Sequence, residues 1–205
     1  MASAAPPARR SSLGPPLAPE FYNRATELVA RDLLGAILEH RSPEGITRGR
    51  IVEVEAYLGP HDPASHAATG LSDRNRHLHG PPGTAYIYFI YGMHFCVNAV
   101  TREEGHGSGV LIRAVEPLAG LALMRKRRGG MPDRQLTNGP GKVCQALGIT
   151  APLGGSPLNR GALRILRGTP VADHDVVVAP RVGITKAVEW PLRFMVRGSP
   201  WVSRG

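Results

Sequence analysis

Cysteine is nearly absent from this 205-residue chain, being confined to Cys96 and Cys144. There is no CxxC pair, and both cysteines sit in apolar runs. This excludes a disulfide framework and points to buried free thiols in a reducing compartment. Long hydrophobic runs are also missing: no segment approaches the roughly 20 apolar residues needed to span a bilayer. The N-terminal stretch MASAAPPARRSSLGPPLAPE has no continuous apolar core, so it does not read as a secretory signal. Its Pro, Ala and Ser content reads as a flexible tail over residues 1–20, ahead of a single domain over 21–205. No internal repeat or long linker divides that domain. The expectation is a cytoplasmic protein, nucleoid-associated if bacterial, neither secreted nor membrane-bound.

What is present is positive charge. Lys plus Arg number 25 against 16 Asp plus Glu, a formal charge of +9 and a pI of about 10.4. Such a balance favours a polyanionic partner, and the bland alternative is a basic enzyme whose arginines only solvate its surface. A hydrophobic content of 42% suffices for a core. Asn23 reads as the N-cap of a helix to Leu34, closed by Gly35. A hairpin follows, from Ala36 to His40 and from Ile46 to Leu58 across Ser42-Pro43-Glu44-Gly45. Residues 59–83, rich in Pro, Gly and His, form a long loop of the kind that is functional or disordered. A second hairpin pairs Thr84–Ile90 with Phe95–Val100, and Val110–Val115 is a further strand. Helices are expected from Pro117 to Arg128 and from Asn138-Gly139-Pro140-Gly141 to near Gly148, with short strands at 163–167, 176–178 and 193–196. Strands outnumber helices and hairpins dominate. The fold class is therefore α+β, one domain with a curved, mainly antiparallel sheet, a protruding β-hairpin and surrounding helices.

Chemistry concentrates on Arg50 to Leu58. Alternation places Ile51, Glu53, Glu55 and Tyr57 on one face and the apolar Val52, Val54, Ala56 and Leu58 on the other. Two carboxylates on a strand are costly unless something uses or satisfies them. One could activate water as a general base, and a pair about 7 Å apart could serve inverting glycoside hydrolysis. The plain alternative is pairing with Arg48 or Arg50. Tyr91, at the tip of the second hairpin, could enter a base stack as a wedge, or fold back on its own hairpin. Tyr86 and Tyr88 share the opposite face, where Tyr88 can line a pocket. His61 and His66 match no metal-ligand spacing, and Pro63 breaks the helix that would pair them, so no metal is expected. Gly139-Pro140-Gly141-Lys142 brings glycines, a helix start and a lysine together, the ingredients of an anion site, although the P-loop spacing is missing. Arg74, Arg76 and Arg125–Arg128 could extend a basic track.

Five stretches, GRIVEVEAYLGPHDPASH, PPGTAYIYFIYGMHFCVN, GVLIRAVEPLAG, NGPGKVCQALGI and RVGITKAVEWPLRFMVRGSPW, run in order from about Phe21 to Trp201. Together they resemble the alkyladenine-type 3-methyladenine DNA glycosylase family. The resemblance implies that Glu55 is the general base holding the attacking water, with Arg113 and the Val182 carbonyl helping to place it. Tyr57, His66, Tyr88 and Asn98 would form the base pocket, and Tyr91 would fill the gap left in the duplex. Lys142 would contact the DNA backbone, with Arg74 and Arg76 adding to the grip. The implied partner is double-stranded DNA containing damaged purines, acted on by a monomer with no cofactor and no obligate protein partner. The chain departs from the family at His94 and Gly141, which bear on DNA grip rather than chemistry, and follows it loosely over residues 71–82. Because no lysine is suggested near Glu55, strand cleavage is not expected and the product would be an abasic site. Two other readings stay in view: a DNA- or RNA-binding module without catalysis, and a carbohydrate glycosidase using the Glu53–Glu55 pair.

Overall fold

Short alternating segments punctuated by turns pair first with their sequence neighbours. The computed structural model describes residues 13–90 and 92–203. Eight strands form one curved, unclosed antiparallel sheet: β1 (Ile37–Ser42), β2 (Gly45–Tyr57), β3 (Ala85–Ile90), β4 (His94–Thr101), β5 (Ser108–Ala119), β6 (Leu163–Leu166), β7 (Val176–Ala179) and β8 (Arg193–Val196). The order is β3-β4-β5-β2-β1-β6, with β8 adding to β2 and β7 to β8. Sequence neighbours pair in β1–β2, β3–β4–β5 and β7–β8, and longer crossovers join these units. Among the described residues the α-helices are α1 (Pro19–Tyr22), α2 (Thr26–Leu33), α3 (Leu121–Arg127) and α4 (Pro140–Leu147). The α+β expectation holds.

The 13-residue β2 is the spine of the sheet. One of its edges pairs with β5 from Arg48 to Tyr57, while the other pairs with β1 over its first half and with β8 at Glu53–Glu55. Both backbone edges near the carboxylates are thereby paired, and Glu53 and Glu55 are completely buried.

The face assignment of β2 needs one correction. The ladder with β5 shifts register on either side of Glu53, as a β-bulge does. Ile51 therefore joins Val54 and Ala56 in the core instead of sharing a face with Glu53. Core-facing residues run 51, 54, 56; Val52, expected beside Val54, is buried outside that core, while Val54 and Ala56 keep their shared face and Glu53, Glu55 and Tyr57 keep theirs. Val29, Ala30 and Leu33 of α2 and Val143, Ala146 and Leu147 of α4 complete that core, which leaves the opposite face of β2 for chemistry.

Element ends also move. The expected Asn23 cap instead closes α1, and α2 starts after Ala25. The helix expected from Pro117 starts at Leu121, because β5 keeps pairing with β2 to Ala119. Pro117 lies where that ladder shifts register, a place that tolerates a missing N–H. Gly120, at φ 78° with Ile46 O only 2.5 Å from a would-be Cβ, makes the turn into α3. Of the stretch read as a tail, residues 14–17 lie along β6, with the Gly14 N–H donating to Arg167 O and the Leu17 N–H to Ile165 O, and residues 19–20 open α1. Residues 1–12 lie outside the described residues.

Candidate active site

Glu55 reaches away from the core into a cage of three donors. Tyr57, its neighbour on the same face, donates its hydroxyl to Oε2 at 3.0 Å. The Val182 N–H, from the loop before β8, donates to Oε1 at 2.8 Å. Arg113 of β5 places Nη1 3.3 Å from Oε2. Burial raises the Glu55 carboxyl above the ordinary range despite these partners, and the nearby Glu53 adds to the effect. Tyr57 is pushed up too, by its own burial and by the Glu55 charge.

The cage borders open space. Tyr57, Arg113 and Val182 line a cavity of about 230 Å³ together with Tyr88, His94, Cys96, Pro140 and Gly141. It shares Tyr57, Tyr88, Ile90 and Gly183 with a second pocket of about 300 Å³. That second pocket is aromatic. Tyr86 and Tyr88 stack at 5.4 Å and His66 meets Tyr88 edge-on at 4.6 Å between ring centroids. Asn98 completes a wall, its amide donating to Tyr86 O at 3.1 Å. His66 Nδ1 and the Tyr86 hydroxyl share a hydrogen bond of 2.8 Å. Burial lowers the His66 pKa and the Arg74 charge lowers it further, while burial pushes Tyr86 up to about 12. The result is an aromatic, donor-bearing slot of about 300 Å³, backed by a buried carboxylate.

A methylpurine-DNA glycosylase (MPG) family model matches residues 20–200. A relative from Methanoculleus marisnigri is 52% identical over 187 residues, covering 90% of this chain and 96% of its own. One from Nitrosospira multiformis is 51% identical over 177 residues (86% and 88%), and one from Rhodopseudomonas palustris 48% over 193 (94% and 90%). All three are named provisionally as 3-methyladenine DNA glycosylases. The chain belongs to the methylpurine-DNA glycosylase family.

Within this glycosylase the expected site residues fall into groups. Glu55, Arg113 and Val182 come together, the Val182 N–H donating to Glu55. Tyr57, His66, Tyr88 and Asn98 all line the larger pocket. Tyr91 lies outside the described residues; beside it on the hairpin, Phe89 is 48% and Met93 69% exposed. Lys142, on the first turn of α4, donates to Asn138 Oδ1 at 2.9 Å. Arg74 and Arg76 are exposed. The Arg125–Arg128 run is tied into the protein, with Arg125 on Asp133, Arg127 on Glu44 and Arg128 on Gln145. Glu53 pairs with Arg113 and Arg193, not with Arg48 or Arg50. The two family departures prove to be one contact. A Cβ on Gly141 would stand 3.0 Å from His94, so the two positions lie against each other.

Several residues escape a reading of the sequence alone. Arg181 is buried, bidentate on Asp62 at 2.5 and 2.8 Å, and stacks on the Tyr57 ring at 4.7 Å. Asp62 also accepts the Leu58 and Ala64 N–H groups, which holds the loop that carries His66. Asn75 does the same further on, donating to His66 O and Gly70 O. The loop over 59–83 is thus an ordered pocket wall. Lys186 also lines the larger pocket, exposed on the loop after Val182. No clustering in sequence announces these pairs; the one local cue is Asp62-Pro63, a turn-forming pair whose aspartate bonds backbone two residues on.

Proposed function

We propose that this protein is a monofunctional DNA glycosylase of base excision repair, acting on alkylated or deaminated purines in duplex DNA. Its substrates would be 3-methyladenine, 7-methylguanine, hypoxanthine and ethenoadenine. The observation that carries the reading is the caged Glu55 behind a cavity that joins a base-sized aromatic pocket.

C1′ is hidden while a base remains stacked, so the nucleotide must flip. Tyr91 on the exposed hairpin would fill the gap, offsetting part of the unstacking cost. Tyr57 and Tyr88 would hold the flipped purine, and a cationic alkylated base gains roughly 0.5–2 kcal/mol from such faces. His66 and Asn98 would read its edge. Ionised Glu55 then takes a proton from a water in the smaller cavity, and the water oxygen bonds to C1′. The glycosidic bond breaks and its electron pair leaves with the base. The Glu55 charge also stabilises the oxocarbenium-like state. Because burial raises the Glu55 carboxyl, base release should rise with pH through a midpoint above the ordinary glutamate value. Lys186 is an exposed amine at the pocket rather than a buried one beside Glu55, so hydrolysis is the step the geometry favours. Lys142, Arg74 and Arg76 would hold phosphates, with the protein acting as a monomer and without a cofactor.

The test is base release from duplexes carrying one hypoxanthine, one ethenoadenine or no lesion, beside methylated DNA. Release leaving an alkali-labile abasic site, with no adduct trapped by borohydride, is expected. Salt-sensitive binding that ignores lesions and releases nothing would favour the non-catalytic module.

A further inference from the structure

The proposed mechanism does not use Glu53, yet this carboxylate is fully buried two residues from Glu55. Four donors converge on it. Arg113 Nε donates to Oε1 at 3.0 Å and Arg193 Nη1 at 3.4 Å. Ser203 supplies two more, its hydroxyl to Oε1 at 2.8 Å and its N–H to Oε2 at 2.6 Å. The Ser203 oxygen in turn accepts Arg113 Nη2 at 3.2 Å. Ser203 is only 8% exposed, and it comes from the segment after β8, 150 residues from Glu53 and 90 from Arg113.

The planar guanidinium of Arg113 is therefore held at two points, Nε on Glu53 and Nη2 on Ser203. Its remaining nitrogen, Nη1, is left facing Glu55 at 3.3 Å. A fork pinned at two corners has one direction left for the third. Without Ser203, Arg113 would stand between two buried carboxylates with competing claims on it. Ser203 and Arg193 satisfy Glu53 by other means, which weakens its claim.

We propose that Ser203 and Glu53 form a clamp that aims Arg113 at Glu55, making both of them positioning residues for base release. This rests on the reading of Glu55 as general base. Glu55 is faced by Glu53 and Tyr57 from β2, Arg113 from β5, Cys96 from β4, Arg193 from β8 and the Val182 N–H. Two substitutions disturb this set in opposite senses. Ser203→Ala removes one donor from Glu53 and one anchor from Arg113, so Glu53 draws Arg113 away and ionised Glu55 loses support. Glu53→Gln keeps an oxygen to accept Arg113 Nε but removes the rival charge, leaving the cations to Glu55.

The experiment is single-turnover hypoxanthine release from a duplex across pH, beside affinity for the same duplex. Ser203→Ala should slow release about tenfold at neutral pH, with affinity within about twofold. Its acid-limb midpoint should move up by about half a pH unit or more, and Ser203→Thr should restore the wild-type profile. Glu53→Gln should move the midpoint down. Wild-type rate and midpoint in Ser203→Ala, both variants shifting the same way, or affinity lost in step with rate would overturn the clamp. If the wild type itself released no base, the glycosylase reading would fall and the clamp's role with it.

Discussion

Two fully buried glutamates on this sheet meet opposite fates. Glu39, on β1, is surrounded by Arg41, Arg48 and Arg164, with Arg41 Nε at 2.8 Å and Arg48 Nε at 2.5 Å. Burial pushes its carboxyl up, but the three guanidiniums outweigh it and bring the pKa down to about 2. Glu55 has a share in one arginine, a phenol and one N–H, and burial wins. The first glutamate is an ion held by ions. The second is a carboxylate kept under-satisfied at the edge of a cavity, able to accept a proton. Burial is common to both; the balance of donors against desolvation separates structure from chemistry.

The largest effect should follow from Glu55→Gln. Base release should fall by about 10²–10⁴-fold, the usual worth of a general base, while damaged-duplex affinity survives. The variant should also be more stable than wild type at neutral pH, since the charge it removes is disfavoured in the fold. Retained turnover would break the comparison outright. Next comes Asp62→Asn, which leaves the buried Arg181 without its carboxylate and should cost about 3–5 kcal/mol in denaturant unfolding. Glu39→Gln should leave base release intact but lower stability by about 2 kcal/mol, allowing for the partial exposure of its arginines. The pH signs differ as well. The Glu39 contribution is present above the unfolded glutamate value near 4.5 and is lost as pH falls towards about 2. Glu55, raised, disfavours the fold as pH climbs from 4.5 through its folded value. Acid titration of Glu39→Gln should therefore lose part of the wild-type instability below pH 4.5, whereas Glu55→Gln should flatten the curve above it.

How much of this contrast a sequence reveals depends on distance along the chain. Tyr57 beside Glu55 and Tyr88 beside Tyr86 were legible because strand period alone sets their faces. Ile51 was not, since a bulge leaves the alternation of residue types intact while shifting what it means. α3 starts at Leu121 rather than Pro117 because β5 is prolonged by β2, a tertiary pairing that overrides the local pattern. Arg48 sits two residues from Arg50 in a run that invites pairing with Glu53, yet the register hands it to Glu39. Arg181, Arg193 and Ser203 lie more than 100 residues from the carboxylates they serve, and no local pattern marks them. The family resemblance supplied Arg113 and Val182, which strand period could not.

The smallest change that bears on the comparison is Tyr57→Phe. It deletes the hydroxyl donor at 3.0 Å from Glu55 Oε2, while its ring can still carry Arg181 at 4.7 Å and line the pocket. Stability should move by no more than about 1 kcal/mol, since losing the bond and relieving the buried phenol act in opposite directions. Release should slow by roughly three- to tenfold at neutral pH, and its acid limb should move to higher pH, because the ionised carboxylate loses one of three supports. A rate that falls without a shift of the acid limb would assign the hydroxyl to the substrate instead. An unchanged limb and unchanged rate would mean that Arg113 and Val182 already hold the charge, bringing Glu55 closer to Glu39 than its cage suggests.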